Sequence, residues 1–123
     1  MIPYLYILGT IFFTVYGQLI LKWRISKLEF NLPDGVFLKI LSLFKLVFDP
    51  FIFTGFSAAF IASFFWMAAI SKLDLSHAYP FMGLSFVLVT GLSVFIFNEN
   101  FNIGKLVGVT FIVIGIIISS RSM

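Results

Sequence analysis

Three polar residues of the first long apolar run, Thr10, Thr14 and Gln18, follow one another at intervals of four, with Gly17 beside the last. On a helix that spacing puts them on one face, and the basic pair Lys22 and Arg24 comes next. A glutamine surrounded by hydrocarbon is unfavourable without a partner, so Gln18 is expected to face another helix or a hydrated cavity. An inter-helix hydrogen bond, worth on the order of 1 kcal/mol, is the structural reading; contact with a polar substrate is the functional one. Tyr79, Gly83, Phe86 and Thr90 share a face of the third run and form either the opposite cavity wall or a packing seam. Glu99 closes that run as a cap, a headgroup contact or a substrate contact. His77, beside Asp74, is expected to be interfacial, with a local hydrogen bond.

The elements that position these residues follow from composition. The chain has 123 residues, 61% hydrophobic and 11% charged, with a mean hydropathy of +1.13. Soluble domains carry about 25% charged residues, so this chain cannot cover a water-facing surface, and a soluble enzyme is excluded. The absence of cysteine removes disulfides, thiolate metal sites and cysteine nucleophiles. One histidine and five carboxylates leave almost no material for a metal cage or an acid/base pair. No metal, cofactor or nucleic-acid partner is expected.

Crossing a hydrocarbon core takes about 20 apolar residues. Four runs qualify, at 2–21, 51–70, 78–97 and 106–120, so the expected fold is an all-α membrane protein, a single four-helix transmembrane domain over residues 1–123. The first run competes with a signal peptide, but no basic residue precedes it and no small-residue cleavage pattern follows. Pro80 falls near the start of the third run, where a missing N–H costs little.

Between the first two runs, Leu32-Pro33-Asp34-Gly35 reads as a turn. Residues 36–48 are then apolar except for Lys39, Ser42 and Lys45, spaced three apart. A short amphipathic helix lying in the membrane plane fits, with lysines at the headgroups and phenylalanines in the acyl boundary. Asp49 and Pro50 supply an N-cap and first-turn proline for the second span. Gly55, Ala58, Ala59, Ala62 and Ser63 in that span suggest tight packing within the subunit. In the fourth span Gly108 and Gly115, seven apart, mark a face for close helix association and a candidate dimer interface.

Charge placement orients the chain. Lys22, Arg24, Lys27, Lys39, Lys45 and Lys105 flank one side, Lys72 and Arg121 the other. Six against two places the first and third loops in the cytoplasm and both termini outside. The spans themselves hold no Asp, Glu, Lys, Arg or His, the residues from which proton relays are normally built.

The run Phe65-Trp66-Met67-Ala68-Ala69-Ile70, followed by Leu73-Asp74-Leu75-Ser76-His77-Ala78-Tyr79-Pro80, resembles the second-to-third helix junction of the drug/metabolite transporter superfamily. Leu84-Ser85-Phe86-Val87-Leu88-Val89-Thr90, with Glu99 ending the helix, extends the match. Gly108 to Gly115 is similar to the dimerising fourth helix of the small members. Gly17-Gln18-Leu19 is similar to the subunits of aminoarabinose–phosphoundecaprenol flippases, and the chain more distantly resembles small multidrug resistance exporters. Those exporters bind cations and protons through a first-helix glutamate. Counted back from Lys22, that position is about Thr14 here, which argues against coupled cation antiport.

The resemblance implies an inner-membrane transporter subunit for a polyprenyl-phosphate-linked sugar, not an enzyme. Lys22 and Arg24 would contact phosphate. Gln18, Thr14 and Tyr79 would line the path, with Glu99 as a further substrate contact, and the isoprenoid tail would stay among the membrane lipids. A small-molecule or cation exporter is one alternative; a non-transporting subunit assisting a glycosyltransferase is another. Four helices are few for alternating access, so a dimer is expected. The charge bias opposes one sequence adopting both orientations, which favours a heterodimer with an oppositely oriented homologous subunit.

Overall fold

The computed structural model describes residues 2–121. Four segments among them are long and apolar enough to cross a membrane: α1 (Ile2–Leu28), α3 (Pro50–Ile70), the joined pair α4 (Leu75–Phe81) and α5 (Gly83–Phe97), and α6 (Ile103–Arg121). The short helix α2 (Val36–Leu46) occupies the first loop. The expected all-helical membrane fold is the one observed.

α1 and α3 form the tightest pair because glycine lets their backbones touch. A Cβ on Gly17 would lie 3.0 Å from the Gly55 carbonyl oxygen, and one on Gly55 would lie 2.8 Å from Ile20 Cγ2. Ala58 and Ala62 continue this seam, both buried, whereas Ala59 and Ser63 are exposed. The seam recurs at three- and four-residue steps, so a residue one position further on has turned about 100° away. Nearer the start of α1, Ile7, Ile11 and Val15 cluster with Ala69 of α3 and Ala78 of α4. α6 packs on α4 and α5 at the edge of the bundle and buries Ile116, which fills the space over Gly83.

Boundaries differ from the sequence expectation where local capping decides. α1 does not stop at Lys22 but runs to Leu28, because a basic cluster ends an apolar run without ending a helix. It closes at Glu29, in the left-handed region at φ 51°, with the Phe30 N–H donating to the Ile25 carbonyl at 3.4 Å. α6 begins at Ile103, since the Asn102 side chain accepts from the Lys105 N–H at 2.9 Å, so Lys105 is in the first turn and not in the loop. Asp49 caps α3 as expected, accepting from the Phe51 and Ile52 N–H groups at 3.2 and 3.3 Å, with Pro50 at the first helical position.

The third span is two helices. It starts at Leu75, and Pro80 falls well inside α4, where its missing N–H removes the bond to the Ser76 carbonyl. The helix gives way at Met82, whose N–H donates to Tyr79 O at 2.9 Å while Ser85 N–H donates to Met82 O at 3.0 Å. These tighter three-residue rings carry the chain into α5. α2 is also shorter than 36–48: Val47, Phe48 and Asp49 close in the same tight rings onto Phe44, Lys45 and Leu46. No side chain of α2 is buried by the rest of the protein, and Phe37 and Phe44 are wide open.

Candidate functional site

The C-terminal part of α1 carries the basic residues, and the helix sorts them. At about 100° per residue, Lys22 and Arg24 point roughly 200° apart. The Lys22 Nζ lies 3.9 Å from Glu99 Oε2, at the end of α5, with both side chains half-exposed. The Arg24 Nε lies 3.1 and 2.9 Å from the two carboxylate oxygens of Asp49, and its guanidinium stacks 4.9 Å over the Phe51 ring. The two cations therefore do not converge on one point, and Arg24 is engaged in fastening α1 to the start of α3.

Asp49 does three jobs at once, capping two N–H groups and receiving Arg24. The hydrogen bond from Arg24 is the main cause that holds its carboxyl below the ordinary value of 3.8. Its role as a cap is legible from the Asp-Pro pair; its partner Arg24, 25 residues away, is not.

Lys22 shares its face with the polar stripe. Thr10 is buried and its hydroxyl donates to the Tyr6 carbonyl of its own helix at 2.9 Å. Thr14 is half-buried, and Gln18 is exposed with no side-chain hydrogen-bond partner among the described residues. Steps of four drift about 40° each, so the stripe starts in the α1–α3 seam at Thr10 and turns by Gln18 and Lys22 onto the line of Ile11 and Val15, on the side of α1 towards Glu99, where both are exposed. Gln18, Lys22 and Glu99 thus form one polar locus at the rim.

Tyr79 is elsewhere. It lies on α4, its ring 5.8 Å from Trp66 of α3, and 20 residues of helix and turn separate it from Glu99. At 1.5 Å per residue that is about 30 Å, the thickness of a hydrocarbon core, so Tyr79 sits at the opposite end of the bundle. Tyr79 and Phe86 face outward while Gly83 packs on Ile116, so this face does not form a wall opposite Gln18.

Near Tyr79, His77 is buried, and its Nε2 lies 2.9 Å from the Tyr4 hydroxyl of α1. The ring's partner is Tyr4 and not Asp74, the neighbour suggested by sequence. No spacing rule links residues 73 positions apart, so the pair had no sequence signal. Among the described residues no three His, Asp or Glu side chains come together as ligands for a metal.

The family model for EamA-like transporters matches residues 2–121. The chain belongs to the EamA-like transporter family. Within it, the chain is 36% identical over 116 residues to the probable 4-amino-4-deoxy-L-arabinose-phosphoundecaprenol flippase subunit ArnF of Erwinia tasmaniensis, covering 93% of this chain and 91% of that protein. It is 33% identical to the ArnF subunit of Aeromonas hydrophila, over 94% of this chain and 77% of that one. It is also 27% identical to the ArnE subunit of Pseudomonas aeruginosa, over 94% and 95%. No solved structure matches.

In the EamA-like chain the two α6 glycines expected at a dimer interface are open. A Cβ on Gly108 or Gly115 would meet nothing within 4 Å, so α6 presents both outward, unlike Gly17, Gly55 and Gly83, which pack inside the subunit.

Proposed function

We propose that this EamA-like chain is a subunit of an inner-membrane flippase for a polyprenyl-phosphate-linked amino sugar, as the names of its ArnF and ArnE relatives suggest. The observation that carries the reading to particular residues is the Lys22–Glu99 pair beside Gln18. At 3.9 Å and half-exposed, the pair is loose, worth roughly 0.2–1 kcal/mol. A headgroup with one phosphate and one ammonium can replace it with two ion pairs: phosphate on Lys22, ammonium on Glu99. Gln18 and Thr14 supply hydrogen bonds to sugar hydroxyls, and the polyprenyl tail stays in lipid.

In this reading Arg24 keeps Asp49 and so fixes the floor of the site, and Tyr79 belongs to the far mouth. The basic loop and Glu99 face the cytoplasm, where six of the eight cations lie, and both termini face outward. The uncovered side of α2 enters the acyl boundary. Gly108 and Gly115 form the contact with an oppositely oriented homologous subunit, a pairing supported by relatives that carry two distinct subunit names.

The deciding experiment is a native mass spectrum of gently purified protein with its lipids retained. A co-purifying polyprenyl-phosphate species that is lost on Lys22→Ala supports the reading. A bare protein, or lipid retention unchanged by Lys22→Ala and by Glu99→Gln, refutes the assignment.

A further inference from the structure

The one histidine of the chain stands at the end of the bundle away from Lys22, and the substrate site makes no use of it. It lies in the first turn of α4 and is 5% exposed, while Tyr4, its partner at 2.9 Å, is 39% exposed. The hydrogen bond between them therefore divides core from surface. Ring edges of Tyr4 and Phe81 close on the imidazole at centroid distances of 6.1 and 5.5 Å. Its Nδ1 is buried and has no partner. Neither neutral tautomer cures this, since one leaves an N–H there and the other a bare lone pair.

A proton makes the closed arrangement worse. It places charge in an apolar pocket and turns Nδ1 into a donor with nothing to receive it. Among the described residues no carboxylate is within ion-pairing distance of the ring. On the same segment Lys72, Asp74 and Tyr79 are exposed. α3 and α5 hold no titratable side chain, α1 brings Tyr4 and Tyr6 to this end, and α6 brings only Arg121, an exposed cation. The charged ring can still donate from Nε2 to the Tyr4 oxygen, so it is Nδ1 and the charge itself that are satisfied only if the pocket opens to water.

α4 joins α5 through a break in the helical bonding. Pro80 has removed one helical bond and Met82 interrupts the helix. Just past the break, Ser85 is 7% exposed and its Oγ is the other buried side-chain atom without a partner. Two orphaned polar atoms, His77 Nδ1 and Ser85 Oγ, therefore flank one break.

We infer that Tyr4 and His77 form a proton-operated latch at the mouth between α1 and α4. Protonation of His77 releases Tyr4, and α4 swings about Met82 to admit water to Ile7, one turn below. The latch rests on the transporter reading for its purpose, but its test does not use the substrate. By linkage, a ligand that favours the open mouth raises proton uptake by His77 to the same degree.

The native chain has no cysteine, so Ile7→Cys in lipid nanodiscs reports opening through a water-soluble maleimide. The labelling rate, relative to an exposed Ser76→Cys control, should rise several-fold as the pH is lowered from about 7.5 to about 4.5, a span that brackets the charge change of histidine. The relative measure removes the fall in thiol reactivity itself. In the His77→Gln background, where the amide can still meet Tyr4 and cannot titrate, labelling should stay low at both pH values. In the Tyr4→Phe background it should be high at both. The single imidazole, followed by NMR in the unmodified chain, should change environment over the same pH interval as the labelling.

A pH-flat relative rate, or the same rise in His77→Gln, overturns the latch whatever the lipid experiment gives. If labelling follows pH and no polyprenyl phosphate is retained, the substrate reading fails and the latch stands.

Discussion

Lys22 and Arg24, two residues apart on α1, serve opposite sides of that helix: Lys22 reaches Glu99 at 3.9 Å, and Arg24 grips Asp49 at 2.9 Å. A basic pair that reads as one phosphate site is divided into a loose, half-exposed pair and a tight, mostly covered one.

That division makes the two cations separable by mutation. Lys22→Ala should weaken retention of a polyprenyl-phosphate lipid about tenfold or more, as expected for a lost charge-assisted hydrogen bond, with thermal stability lowered only slightly. Arg24→Ala should lower the Tm in detergent, because Asp49 keeps its charge and loses its main partner. Equal effects of both changes on lipid binding and on Tm would contradict the division.

Acid should act through Asp49. Its carboxyl in the folded protein titrates below 3.8, so between the folded and unfolded values the unfolded chain binds more protons. Its stabilisation is present above about pH 3.8 and is lost as pH falls through the lower folded value. Melting curves from neutral pH downward should show this loss in the native chain. Asp49→Asn, which retains a capping side chain, should start from a lower Tm and show a smaller acid-induced drop.

The glycines should divide into two classes. Gly17→Val drives a side chain into the Gly55 carbonyl and should cost about 1–3 kcal/mol of stability. Gly108→Val and Gly115→Val meet nothing inside the chain. They should leave the monomer folded and reduce the dimer fraction in native mass spectra; an unchanged dimer places the interface elsewhere.

Gln18 makes no side-chain hydrogen bond within the subunit. Gln18→Leu should therefore insert and melt like the native chain while lipid-linked sugar translocation falls. Normal translocation by this variant would remove Gln18 from the path.

Orientation rests on charge alone. Moving lysines so that both sides are equally basic should give a mixed population in a two-sided labelling assay, and an unchanged topology would refute the charge argument.

How much of this was readable in the sequence depends on the range of the interaction. The apolar runs, the Asp49-Pro50 start of α3, the short helix in the first loop and the small residues of the α1–α3 seam are set by local composition and by spacings of three or four. Transfer of side chains into hydrocarbon and capping of free N–H groups act within one turn or one run of chain. The partners of those residues are different in kind. Glu99 lies 77 positions from Lys22, Tyr4 73 from His77 and Asp49 25 from Arg24, and only helix packing brings each pair together. Packing also decided the phase of the polar stripe. An exact step of four drifts around a helix of 3.6 residues per turn, so Thr10 ends in the seam and Gln18 at the rim. The sequence alone determined that the chain spans a membrane four times and where its polar groups fall along each span. The tertiary structure decided which of them meet, because those distances depend on how helices far apart in the chain lie against one another.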